Sequence, residues 1–410
     1  MKQKKNYYYL LTALLCCGMA ASSVGICLNA YGVFFTPLSN ALGVGRGTVS
    51  LHATLSGLTT GFVSLLVVKL LHRVPLKKLI LLGLVLICSA TVGMAFATQI
   101  WMFNALGIVR GVGCACYYLP VLTIILGNWF EKMRGTITGI VLSFSGVSGA
   151  VFSPLLTYFI SLYGYKTTYL ITAAFICLLT LPSVFFCELS PENVRMKAYG
   201  YVESSETVSD LKAASSPAME KMQGYGILFI IFALLAAFSI APTSLSQHMP
   251  GYAEFIGIGS SFGSLMLSTV MLANISFKFI LGFMSDKIGS IPASVLTLSL
   301  TAVGILILYL CPMNHFLLLA AAFLFGVSYA FTSVGLSLIV RDVYGNELYG
   351  NIYSVLSMIA NVVSALTIVL IGYSYDIFAT YKPILAVSVL LEVLSILLLI
   401  GIRFCHRKAR

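Results

Sequence analysis

The chain has 410 residues, of which 59% are hydrophobic and only 9% charged, and its mean hydropathy is +0.99. Soluble domains carry about 25% charged residues, so this composition excludes a soluble globular protein and leaves an integral membrane protein of many spans. A net charge of +11 would point to nucleic acid in a soluble chain; in a membrane protein the excess of Lys and Arg in cytoplasmic loops accounts for it, and no nucleic-acid partner is expected.

The first residues are basic and then apolar, as in a signal peptide. The apolar run continues to about Pro37, and Leu15 precedes Cys16 where a lipoprotein site needs a small residue, so this segment reads as an uncleaved first helix. A bilayer core takes about 20 apolar residues per helix. Runs of that kind fall at 8–36, 47–70, 78–98, 101–127, 135–160, 166–187, 224–247, 260–284, 291–311, 315–339, 350–376 and 381–403. The predicted fold class is therefore an all-α membrane protein of twelve transmembrane helices. One long polar segment, 188–223, divides the runs into six and six. The expected domains are an N-terminal six-helix bundle (1–187), a cytoplasmic linker (188–223) and a C-terminal six-helix bundle (224–410).

Charge placement tests the count. If the amino terminus starts inside and the spans alternate, the inner segments hold Lys2, Lys4, Lys5, Arg73, Lys77, Lys78, Lys132, Arg134, Arg195, Lys197, Lys212, Lys221, Lys287, Arg341, Arg403, Arg407, Lys408 and Arg410. The outer loops hold only Arg46, Lys166 and Lys382, and Lys69, Arg110 and Lys278 remain within spans. This bias puts both termini in the cytoplasm, with the plasma membrane as the expected location. The two sets of six runs also echo each other. Gly111 and Gly326 stand 215 residues apart, as do Arg134-Gly135 and Tyr349-Gly350, and Tyr165-Lys166 answers Tyr381-Lys382. Internal repeats of this kind mark transporters whose path lies between the halves.

Candidate functional residues are the polar groups inside the spans. A lysine such as Lys278 costs roughly 2.5–3.5 kcal/mol inside an apolar helix. It reads either as a charge facing a central cavity or as a lysine snorkelling to the inner interface. Arg110, in the middle of the fourth run, is a substrate-binding or a structural cation. Tyr117, seven residues on, shares its helical face, and Tyr118 follows. Asn29 and Tyr31 in the first run and Tyr329 in the tenth carry polar groups that need partners, whether a ligand or the protein core. His248 and Glu254, after the seventh run, are titratable candidates for proton coupling; His52 and Glu392 have no assigned role. Small-residue pairs such as Gly107/Gly111, Gly57/Gly61, Gly135/Gly139 and Gly259/Gly263 permit close helix contacts, and Pro154 is a candidate bend in the fifth run. The ten cysteines include no Cys-x-x-Cys pair and support neither a disulfide framework nor a metal site. No GxxxxGK[ST] loop is present, which argues against ATP-driven transport by this chain alone. Nor is there a catalytic constellation, so neither an enzyme nor a cofactor is expected.

The stretch Gly282-Phe283-Met284-Ser285-Asp286-Lys287-Ile288-Gly289 resembles the helix 8–9 loop motif of the major facilitator superfamily; its first-half counterpart, around Lys69 to Lys78, is degraded, with Arg73 in place of the Asp. Trp129-Phe130-Glu131-Lys132-Met133-Arg134-Gly135 and Gly32-Val33-Phe34-Phe35-Thr36-Pro37-Leu38 resemble two of its families, the oxalate/formate antiporters and the monocarboxylate transporters. The resemblance implies that Lys278, four residues before Gly282, takes the place of a helix 8 cation that binds the substrate carboxylate, usually Arg. It also implies that Tyr31, Tyr117, Tyr118 and Tyr329 form an aromatic cage along the path, where Arg110 and Asn29 are further substrate-binding candidates, and that Gly282, Asp286, Lys287 and Gly289 form a conformational latch. Asn274 stands where proton-coupled carriers have Asp, and Leu356 where the oxalate exchanger has a second cation. One cation for one carboxylate is implied, rather than a paired clamp. The resulting expectation is a secondary active transporter of a small organic anion, a monocarboxylate, working by exchange or proton symport as a monomer in the lipid bilayer. The alternative is a proton-coupled drug or other small-solute exporter of the same fold; a membrane-embedded enzyme or solute sensor is the more distant rival.

Overall fold

The computed structural model describes residues 2–71, 73–201, 226–310 and 313–409. Among the described residues, twelve helices are long and apolar enough to cross a membrane: α1 (2–42), α2 (Arg46–Leu70), α3 (Leu76–Phe96), α4 (Ile100–Trp129), α5 (134–163), α6 (165–186), α7 (Gly226–Phe255), α8 (Ser260–Ile288), α9 (Ser290–Leu310), α10 (His315–Gly345), α11 (346–378) and α12 (Lys382–Ala409). α5 and α6 run on without a loop, as do α10 and α11. Each pair is divided by one glycine, Gly164 (φ 75°, ψ 167°) and Gly345 (φ 72°, ψ 173°), in a conformation that side chains resist. The backbone stays helical through Pro154, so the break between α5 and α6 falls at the glycine and not at the proline.

Helices α1–α6 pack on one another, as do α7–α12, and each half holds apolar clusters near both faces of the bundle. The halves meet along two helix pairs, α2 with α11 and α5 with α8, and again where α1 touches α7. With an even number of spans, both described ends of the chain lie on one face, here called the terminal face; the opposite face is the distal face. Of the expected linker, residues 188–201 are described: a 3-10 turn Pro191–Val194 is followed by a bridge between Phe130 and Tyr199. The remaining linker residues, with Lys212 and Lys221, lie outside the described residues.

Three helices depart from the expected continuous rods. α1 widens into a π-helical stretch over Ala21–Asn29, then tightens to a 3-10 turn over Tyr31–Phe34. α7 becomes 3-10 over Ala241–His248. α4 breaks at Cys116–Tyr118 and restarts at Leu119 with Pro120 in its first turn. Tyr117 therefore does not continue the face of Arg110 as an unbroken helix would have it.

Candidate functional site

A break in a membrane helix frees backbone groups that hydrocarbon cannot satisfy. In α1 they are met from the other half of the molecule. The Gly32 N–H donates to Oε1 of Gln247 at 2.9 Å, and Nε2 of Gln247 donates to the Asn29 carbonyl at 3.2 Å. Asn29 in turn donates through Nδ2 to the Ser145 carbonyl on α5 (3.0 Å). The broken parts of α1 and α7 thus lock to each other through one amide side chain.

Further contacts between the halves continue from there toward the distal face. Thr54 Oγ1 donates to the Ala365 carbonyl (2.7 Å) and Ser268 Oγ to the Ala150 carbonyl (2.6 Å), while Thr157 and Ser264 share a hydroxyl–hydroxyl bond. At the mouth itself, Asp376 accepts from the Arg46 and Gly47 amides (2.7 and 2.8 Å), so a carboxylate of α11 caps the start of α2. The Arg46 side chain donates to the Gly251 carbonyl (3.1 Å) and the Tyr381 hydroxyl (2.9 Å), lies 4.2 Å over the Tyr375 ring and sits 3.8 Å from Glu254. Burial pushes the Tyr381 hydroxyl up to about 12, so it stays neutral and accepts from Arg46. The distal face is sealed. Toward the terminal face, the Leu119–Trp129 part of α4 packs on α1 and α2 of its own half, and Gly146 of α5 lies against Ile275 of α8 while a Cβ on Gly139, two turns nearer the start of α5, would meet nothing within 4 Å.

Two cations lie within the spans at different depths. Arg110 is 1% exposed and belongs to the interior of the first half. Its guanidinium carbon sits 3.7 Å above the Tyr31 ring and its Nε donates weakly to Ser56 Oγ at 3.4 Å. The Tyr31 hydroxyl bonds to that of Tyr169 and to Met94 Sδ, both at 3.0 Å, and Phe34 stacks on Tyr169 at 4.2 Å. Arg110 can lie this deep because Gly107 and Gly111 bring α4 against α2: a Cβ on either would stand 2.5 Å from a carbonyl oxygen, of His52 or Ser56. Nη2 of Arg110 has no partner among the described residues.

Lys278 is half-buried on α8. It shares a helical face with Asn274 and Met271, the residues that pack against Gly146 and Gly149 of α5. It sits one turn beyond Asn274 toward the terminal face, and its ammonium makes no hydrogen bond or ion pair among the described residues. Asn274 is buried with its Oδ1 unpartnered, and Leu356 is buried in the apolar cluster of the second half.

The remaining predicted residues scatter. Tyr329 is half-buried and bonds to Ser246 Oγ (2.7 Å) and the Thr243 carbonyl (3.2 Å), across the 3-10 stretch of α7. Tyr118 is half-buried at the α4 break and Tyr117 fully buried. His248 donates through Nε2 to the Ile368 carbonyl (2.9 Å) and faces Phe35; Glu254 belongs to the Arg46 cluster. His52 bonds to the Val49 carbonyl among the rings of Tyr31, Phe35 and Phe103. Glu392 is fully buried, with neither carboxyl oxygen bonded among the described residues. In the expected latch, Asp286 and Lys287 are exposed, Lys287 lies 4.3 Å over Phe283, and Gly289 turns the chain at φ 89°. Gln247, Asp376 and Tyr169 were not singled out from sequence. Gln247 carries no signal among neighbouring polar residues, whereas Asp376 stands four residues after Gly372, as Asp286 does after Gly282.

Two six-helix halves around a path sealed at one face define a membrane carrier. The Major Facilitator Superfamily model matches residues 10–366 and 227–409, and the chain belongs to that superfamily: it is a transporter and not an enzyme. It is 21% identical over 374 residues to YcxA of Bacillus subtilis (strain 168), an uncharacterized MFS-type transporter, covering 90% of this chain and 88% of that one. It is 23% identical over 231 residues to monocarboxylate transporter 12 of Rattus norvegicus, which covers 51% of this chain but only 46% of that carrier. Among solved structures it is similar to a bacterial homolog of the human lysosomal transporter Spinster in an inward-facing, unoccupied conformation (TM-score 0.72, 14% identity, 99% and 97% of the two chains). It is also similar to a D-xylose–proton symporter (TM-score 0.72, 12% identity, 96% and 97%).

Proposed function

We propose that this transporter moves a small organic anion, a monocarboxylate, by exchange or proton symport. The observation that carries the reading is Lys278: a cation without a protein partner, on a helix that faces the other half, just beyond the seal. A half-buried ammonium within an apolar helix and without a counter-ion is costly, and a substrate carboxylate is the counter-ion that would offset that cost. In this reading the half-buried Tyr329 and Tyr118 shape the path. The bundles 1–187 and 224–410 rock about the sealed contacts, with 188–223 as the linker between them. The similarity to monocarboxylate transporter 12 supports the substrate class. The charge bias supports a cytoplasmic terminal face, and with it an inward-open state like that of the Spinster homolog.

Uptake of labelled monocarboxylates into proteoliposomes tests the proposal. Lys278→Gln should abolish carboxylate flux and Lys278→Arg should retain it; flux untouched by Lys278→Gln sinks the reading. A second reading, a proton-coupled exporter of drugs or other small solutes, draws on Glu392, a buried acid without a protein partner. It would be favoured if Glu392→Gln, and not Lys278→Gln, stopped transport.

A further inference from the structure

Every substantial contact of α9 and α12 is with helices of their own half, so these two helices lie away from the seam. Their outward faces are apolar: Leu296, Val303 and Leu306 on α9 and Leu390, Val393 and Leu397 on α12 all stand exposed. On helices that cross a membrane, such a face meets lipid tails.

Between the two helices, at the terminal face, lies a groove of about 510 Å³, within the size range of small-ligand pockets. Ile291, Val295, Leu296 and Ser299 line it on one side and Ile400 and Arg403 on the other. The Ser299 hydroxyl is already satisfied, since it donates to the Val295 carbonyl of its own helix at 2.8 Å. Arg403 is the one charged residue among those that line the groove. Its side chain is exposed and makes no hydrogen bond or ion pair among the described residues.

The depth of Arg403 follows from the length of its helix. The span Lys382–Arg403 has 22 residues, about 33 Å at 1.5 Å per residue, and a hydrocarbon core is about 30 Å thick. Arg403 therefore stands at head-group level, and the groove runs inward from it along the first three turns of α9. α12 continues to Ala409, and its sequence adds Arg407 and Lys408 beyond the groove, which favours an anionic leaflet at this face.

We propose that this groove binds one anionic phospholipid of the terminal leaflet. Arg403 takes the phosphodiester through a fork of two N–H···O bonds, and an acyl chain lies in the apolar trough between α9 and α12. The occupant follows from the two ends of the site. A cation at head-group depth continues into a trough that offers a soluble anion nothing. A second copy of the chain on this face brings no acid to Arg403: α9 has none, and Glu392, the one acid of α12, is buried. The site lies on the lipid side of the second half, so the inference needs no particular substrate.

Thermal unfolding of the purified full chain in neutral detergent tests it, because a lipid that binds the native state raises its apparent stability. Added phosphatidylglycerol should raise the melting temperature by several degrees, and phosphatidylcholine with the same chains should not. Arg403→Gln should remove most of that rise. Ser299→Phe, which fills the trough and keeps the charge, should remove it as well. Lys78→Gln, which deletes an exposed cation from the same face of the first half, should keep it. As a second readout, a tryptophan placed by Leu296→Trp should be quenched more by brominated phosphatidylglycerol than by brominated phosphatidylcholine, and Arg403→Gln should erase the difference. The inference is overturned if the two lipids stabilise and quench alike, or if Arg403→Gln keeps the rise. Loss of the rise in Lys78→Gln overturns it in favour of general surface charge. Inorganic phosphate that reproduces the rise overturns it in favour of a free-anion site. Cross-linking of two chains through Leu296→Cys overturns it in favour of a second copy.

Discussion

Arg110 and Lys278 are both cations within apolar helices, one in each half, yet their surroundings give them opposite work. Arg110 is sunk among Tyr31, Ser56 and the close α2–α4 contact, and its planar guanidinium stacks on a ring. Lys278 stands on α8, the helix that packs against α5 of the other half, with a point charge and no partner among the described residues. The difference teaches that a buried charge is read by what faces it. A guanidinium stacked on Tyr31 has its surroundings within its own half; an ammonium on a helix that packs against the other half has no partner among the described residues, which is what the proposed anion would supply.

The sharpest way to break this comparison is to neutralise each cation. Lys278→Gln should lower carboxylate flux by a hundredfold or more while leaving the melting temperature of the purified protein unchanged or raised, since a desolvated charge is removed. Arg110→Ala should act chiefly on the fold: the lost stack and the cavity together cost roughly 2–4 kcal/mol, seen as a fall of several degrees in thermal unfolding. If Arg110→Ala stops flux without lowering stability, the two residues share one role and the comparison fails.

Gln247→Leu tests the lock between the halves. It removes two hydrogen bonds to the opened α1 backbone, each worth roughly 0.5–1.5 kcal/mol. Faster maleimide labelling of a cysteine at position 54 should follow, with little change in unfolding temperature. The smallest effect belongs to Tyr31→Phe. The ring under Arg110 remains, and only the bonds to Tyr169 and Met94 are lost, a change of about 1 kcal/mol in stability. An effect as large as that of Arg110→Ala would show that the hydroxyl, and not the stack, holds the cation.

Much of this architecture was legible in the residues. Twelve apolar runs became twelve helices because backbone groups in hydrocarbon must pair within their own segment. The hinge glycines were harder to read: Gly164 and Gly345 look like their neighbours until φ is known. The break in α1 was missed because its sequence is nearly as apolar as an intact helix and what stabilises it, Gln247, comes from the other half; the α7 break, Ala241–His248, is polar and holds Pro242, but sits where the apolar run simply ends. The tyrosines grouped as one cage divide by packing: Tyr31 and Tyr117 are buried within the first half, while Tyr118 and Tyr329 remain half-exposed.

Composition and spacing alone determined that the chain spans a membrane twelve times in two halves, because hydrophobic length and charge placement act locally and need no partner. They also singled out Lys278, since a charge in an apolar run is costly wherever the helix goes. Only the tertiary structure decided which face is sealed, that Arg110 is sheltered by Tyr31, and that Asp376 is docked while Asp286 is exposed. Each of those depends on which helices lie side by side, and contacts between residues far apart in the chain leave no local trace in it.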